Sequence, residues 1–188
     1  MARQKNNVVM QNTRGMFGGQ VVFKKRAGKG YVAAPPNVNE NRKPTPNQLR
    51  AQERFNNSVQ YSVEADQIPE LRKAYKKLAG RGQSARNIAF RDAYYSPEVL
   101  GIITQAYTGI VGNVIVVIAQ DDFKVKSVKV SISNPSNVLI EEGDATANPD
   151  GITWNYIVTQ HNANVAGCVI KAMAFDIPQN KGSMEMTV

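Results

Sequence analysis

The sequence predicts an α+β chain built in three parts. These are a small N-terminal β-hairpin with an extended arm (residues 1–44), a three-helix segment (45–96) and a C-terminal immunoglobulin-like β-sandwich (97–188). Three observations carry the prediction. Basic, glycine-punctuated segments open the chain, apolar residues recur at helical spacing between Thr45 and Pro97, and from Val99 onward the apolar period falls to two. Charge follows the same division: residues 1–95 hold 18 Lys/Arg against 6 Asp/Glu, whereas 96–188 hold 5 against 9, so +12 and −4 combine to the net +8. A basic half facing a mildly acidic one implies an acidic partner, whether nucleic acid, a protein face or a neighbouring copy.

In the first part, Val8–Met10, Gln20–Lys25 and Tyr31–Ala33 read as short strands. The turn-rich segment Thr13–Gly19 and the glycines Gly28 and Gly30 separate them, since glycine permits positive φ. Neither glycine cluster has the spacing of a phosphate-binding loop, so both are hairpin turns. So small a sheet carries little apolar surface and must lean on something else. Ala34–Pro44, rich in proline and asparagine, is an extended arm.

The helical segment opens on a capping box: Thr45 and Gln48 are placed to satisfy each other's backbone N–H groups, with Pro46 at the first helical position. The first helix runs from about Pro46 to Glu64, with Leu49, Phe55, Val59 and Val63 near one face. The second, Glu70 to Ala79, places Leu71, Ala74, Tyr75 and Leu78 at i, i+3, i+4, i+7, and Gly80 is its expected left-handed stop. Ser84 caps the third, which buries Ala85, Ile88, Ala89 and Ala93 and stops before Pro97.

The sandwich pattern follows. Val114–Ala119 is a continuous apolar run fit for a central strand. Val128, Val130 and Ile132 alternate with polar residues, as do Ile152, Trp154, Tyr156 and Val158 with their neighbours. Val138–Glu141, Cys168–Phe175 and Met184–Val188 complete the set, with turn signals between them. A single cysteine, Cys168, excludes an intramolecular disulfide, but Trp154 can still fill the core between sheets.

The chemistry-bearing residues point away from catalysis. His161 is the only histidine and stands in a polar loop, without the partners a triad or zinc site needs. Asp121, Asp122, Asp144, Asp150 and Asp176 fall at different strand ends, without a calcium-loop motif, and read as turn aspartates. No metal, cofactor or enzymatic activity is therefore expected. The basic patch is the candidate partner-binding site: Lys24, Lys25, Arg26 and Lys29 in the hairpin, with Arg42 and Lys43 ahead of the first helix. No run approaches the ~20 apolar residues of a membrane span. The N-terminus leads into no signal-type apolar segment, so the chain is expected to fold in a cytoplasm.

These pieces together resemble an uncharacterised Bacteroidetes/phage protein family. The resemblance rests on the Gly15-to-Lys25 hairpin and on Thr45, Pro46, Gln48, Gln52, Arg54 and Phe55 of the first helix. Tyr75, Lys76, Ala79 and Ser84–Ala89 continue it, with Arg86 where the family carries an aromatic residue. The tail matches at Tyr107–Gly109, Val111–Gly112, Asp121–Lys126 and Ala174–Asp176. The resemblance implies a structural phage virion protein, capsid-associated or part of the tail or connector. It would act as an oligomer through contacts with other virion proteins or copies of itself. The alternative is a cytoplasmic nucleic-acid-binding protein that meets phosphates with its basic half.

Overall fold

In a computed structural model of the chain, residues 2–3, 12–26, 28–37 and 43–188 are described. The fold is α+β as expected, and it divides into two compact units, 1–45 and 46–188. The expected strand Val8–Met10 and part of the arm, residues 38–42, lie outside the described residues.

The first unit is a four-stranded antiparallel sheet of β1 (Ala2–Arg3), β2 (Gly15–Phe17), β3 (Val21–Arg26) and β4 (Lys29–Ala33), in the order β1-β4-β3-β2. Strand β2 falls inside the segment read as turn-rich. Its link to β3 has Gly18 and Gly19 both at positive φ, and Gln20 N–H closes the turn on the Phe17 carbonyl. The loop between the paired residues Phe17 and Val21 is three residues long, and its two consecutive left-handed positions are why glycines stand there. No described side chain of this unit is buried.

The second unit begins with α1 (Pro46–Gln67), α2 (Pro69–Leu78) and α3 (Ala85–Tyr94). The α1 face differs from the expected one. Leu49, Phe55 and Val63 are exposed, and the residues that turn inward are Ser58, Ser62 and Ala65. Small residues let helices approach closely, and both serines satisfy their hydroxyls on their own helix: Ser58 Oγ donates to the Arg54 carbonyl (2.8 Å) and Ser62 Oγ to that of Val59 (2.7 Å). Gly80 is not the left-handed stop of α2. Ala79 ends that helix in an extended conformation, the Gln83 side chain accepts from Gly80 N–H at 3.0 Å, and the positive φ falls on Gly82. Ser84 caps α3 as expected, accepting from Asn87 N–H at 3.2 Å.

The sandwich holds seven antiparallel strands: β5 (Glu98–Ile103), β6 (Val114–Gln120), β7 (Val125–Ser133), β8 (Leu139–Ala147), β9 (Thr153–Ile157), β10 (Val169–Asp176) and β11 (Lys181–Thr187). Their order is β11-β10-β7-β8-β9-β6-β5, and β8 joins the two layers: its first part pairs with β7 and its last two residues with β9. Alternate residues point inward, so Ile115, Val117, Val128, Val130, Ile132, Ile170 and Ala172 are fully buried, with Trp154, Tyr156 and Val158 beside them. Ile152, read as the first inward residue of its strand, instead sits in the turn before β9 and is exposed. A smaller core of Ala65, Tyr75, Ala85, Ile88 and Ala89 lies among the helices. Phe123, from the β6–β7 turn, packs onto it, its ring centroid 4.4 Å from that of Tyr75.

Candidate functional site

The basic patch is assembled by strand register. Lys24 pairs across the sheet with Tyr31, which pairs in turn with Arg3, and Arg26 pairs with Lys29. Side chains alternate along a strand, so Lys24, Tyr31 and Lys29 share one face while Lys25 belongs to the other. That other face is the more apolar, with Phe17 opposite Val21 and Phe23 opposite Val32. Lys24, Lys25 and Lys29 are all exposed. Lys43 is exposed in the irregular stretch before α1, and Arg42 lies outside the described residues. Three consecutive cations in the sequence thus do not form one cluster; pleating splits them. The placement of Tyr31 between Lys24 and Arg3 was not anticipated, because the pairing of β4 with β1 leaves no local signature.

A second constellation lies within the 46–188 unit, where α3 meets the sandwich. Asp92 of α3, Asp121 just after β6 and Asp176 at the end of β10 each bring a carboxylate oxygen to within 4.8 Å of the others. Asp92 and Asp176 are fully buried, and Asp121 is half-buried. Neighbours hold one oxygen of Asp92, one of Asp121 and both of Asp176. Tyr75 O–H donates to Asp92 Oδ2 at 2.6 Å, and Phe123 and Lys124 N–H donate to Asp121 Oδ2 at 3.3 and 3.0 Å. Asn180 grips Asp176 with its backbone N–H (2.6 Å) and its side-chain amide (2.8 Å). The same amide lies 3.2 Å from the Ala93 carbonyl, tying the end of α3 to the sandwich. Asp92 Oδ1 and Asp121 Oδ1 are buried and accept nothing.

Electrostatics follow from this geometry. Burial pushes the Asp92 carboxyl up to about 7, opposed by the Tyr75 hydrogen bond and reinforced by Asp121. Burial likewise lifts Asp176 to about 6, against the donors of Asn180. Burial and the same hydrogen bond to Asp92 raise Tyr75, so it stays a proton donor. Beside the cluster, Arg91 is committed elsewhere, with a two-pronged contact to Asp122 at 2.9 and 2.7 Å. That contact holds the Asp122 carboxyl below its ordinary range.

Of the aspartates singled out in the sequence, Asp121 and Asp176 come together, and Asp144 and Asp150 do not join them. Asp150 is a turn residue: Oδ1 accepts from the N–H groups of Ile152 and Thr153, and Oδ2 from the Thr153 hydroxyl at 2.6 Å. His161 is exposed in its loop. Cys168 is buried beside the core, donating its thiol to the Asn164 carbonyl at 3.1 Å. Asp92 is the residue that sequence reasoning missed. It stands seven positions after Ala85 on the stripe Ala85, Ile88, Ala89, a place the helical period marks as buried.

No protein-family model and no curated protein matches the chain. Among solved structures, CopC from Methylosinus trichosporium OB3b is similar over 50% of this chain and 93% of its own, at 17% identity and a TM-score of 0.36. An engineered protein is similar over 56% of this chain and 27% of its own, at 10% identity and a TM-score of 0.32. Neither likeness bears on the sites described above.

Proposed function

We propose that the chain is a structural phage virion protein, working by repeated contacts in which the N-terminal unit of one copy docks on the acidic sandwich of the next. One observation carries this reading: the 1–45 unit is a charged sheet with no buried side chain among its described residues. Residues 1–45 contain nine Lys/Arg and one acidic residue, net +8, while 46–188 contain fourteen of each, net zero. The whole excess of the protein therefore resides in a unit with no buried side chain among its described residues and with Phe17 and Met16 exposed at 73% and 58%. Such a sheet gains stability when its apolar face is covered by a partner surface. Within 46–188 the acidic excess lies in the sandwich, which makes the neighbouring copy the complementary partner. A head-to-tail contact of this kind builds rings or filaments. The sequence resemblance supplies the virion context, and no helix of the described residues is long and apolar enough to cross a membrane.

Light scattering of the full chain at low and high salt tests the reading. Wild type is expected to associate, and to dissociate as salt screens the contact over about 8–10 Å. Lys24→Glu with Lys29→Glu, on one face, is expected to abolish association. A monomer at every salt and concentration overturns it.

Nucleic-acid binding is the second reading, favoured by Tyr31 standing in register with Lys24 on the neighbouring strand, where a base can stack. Anisotropy of labelled single-stranded DNA separates the two. Steeply salt-dependent binding by a chain that stays monomeric supports this reading instead.

A further inference from the structure

We propose that Asp92, Asp121 and Asp176 form a site for a hard divalent cation, calcium in preference to magnesium, that fastens α3 to the sandwich. Three carboxylates cannot share a buried space uncompensated, because a buried charge must be paired, neutralised or bound to metal. No salt bridge among the described residues reaches any of the three, and the adjacent Arg91 is already paired with Asp122. Fixed donors account for one oxygen each of Asp92 and Asp121, which leaves Asp92 Oδ1 and Asp121 Oδ1 buried and without a partner. Asp92 is itself only 1% exposed, so that orphaned oxygen has no recourse to bulk water.

The dimensions suit calcium. Two oxygens on one calcium ion, each at 2.3–2.6 Å, stand at most about 5 Å apart. The three aspartates keep their ligand atoms within 4.8 Å of one another. An oxygen-only donor set selects a hard ion over zinc or copper, which favour imidazole and thiolate. Three carboxylates giving one oxygen each cannot complete a shell of six to eight oxygens. The rest must be water that enters with the ion from the clefts of about 490 Å³ and about 230 Å³ that Asp121 and Asp92 border. The ligands come from one helix and two strand ends, so the ion would join the helical segment to the sandwich.

The full chain is tested with terbium as the calcium probe. Tyr75 touches Asp92 directly, so exciting tyrosine is expected to sensitise terbium emission. Calcium is expected to displace that emission, with magnesium far weaker. Calcium is also expected to raise the melting temperature relative to chelator, since a ligand of the native state stabilises it. Asp121→Asn, chosen because Asp121 is half-buried, is expected to weaken calcium binding by at least about tenfold, and Asp150→Asn to leave it unchanged. If Asp121→Asn does not fold, the wild-type displacement and melting shift decide the matter alone. Absence of both overturns the proposal and assigns the cluster to shared protons. Emission of equal strength in a folded Asp121→Asn variant overturns it by placing the ion elsewhere.

Discussion

Gly182 passes so close to Pro97 that a Cβ on residue 182 would stand 1.9 Å from the Pro97 carbonyl oxygen. The last strand of the sandwich thus runs backbone against backbone beside the residue that leads into the first. The contact is closed at both partners, since neither has a flexible side chain that can swing away. Gly182→Ala is therefore expected to destabilise the protein by about 1–3 kcal/mol, as overpacking does. Urea unfolding measures this, and an unchanged midpoint would mean that β11 parts freely from Pro97.

Trp154 is 6% exposed in the sandwich core, and its indole N–H is buried without a partner. Trp154→Ala is expected to cost about 3–5 kcal/mol, the range for deleting a large core side chain. Trp154→Phe keeps most of the apolar area and removes the orphaned donor, so it is expected to cost far less. Equal losses for the two variants in denaturant unfolding would show that the N–H, and not the ring, matters.

The sandwich was legible because burial in a half-covered sheet imposes a period of two. Val128, Val130 and Ile132 announce that period, and all three are fully buried. The packing face of α1 was not legible, because its inward residues are serines whose hydroxyls are satisfied within the helix, and hydrophobicity carries no trace of that. The basic residues were visible singly, but only strand register decides that Lys24 and Lys29 share a face without Lys25. The carboxylate cluster was hidden for a different reason. Asp121 and Asp176 are brought together by sandwich topology, and Asp92, on the buried stripe of α3, was passed over because aspartate ordinarily faces solvent.

Tyr75 and Tyr61 form a short relay into Asp92. Tyr75 gives its only hydroxyl proton to the carboxylate, so the 2.8 Å contact between the two phenols is a donation from Tyr61. Tyr75→Phe keeps the ring against Phe123 and leaves Asp92 Oδ2 buried without its donor. It is expected to cost about 1–3 kcal/mol, the penalty for an unsatisfied buried acceptor. Tyr61→Phe leaves the bond to Asp92 in place and is expected to cost less. Chemical denaturation of the two variants checks the order, and the reverse order would place the structural weight on Tyr61.

Asp150 gives the sandwich a dependence on acid that can be isolated from the buried carboxylates. The Thr153 hydroxyl, then the backbone N–H groups of Thr153 and Ile152, hold its carboxyl below the usual aspartate range. A carboxyl depressed in the folded state adds stability above its unfolded pKa, near 4 for aspartate, and loses it as pH falls through the lower folded value. Asp150→Asn retains an acceptor for the turn and does not titrate. The wild type is therefore expected to exceed the variant in stability at neutral pH, and the gap should close as pH drops below about 4. Unfolding midpoints measured along a pH series for both proteins test this. A gap that stays constant down to the acid limit would show that the turn depends on shape alone and draws nothing from the charge of Asp150.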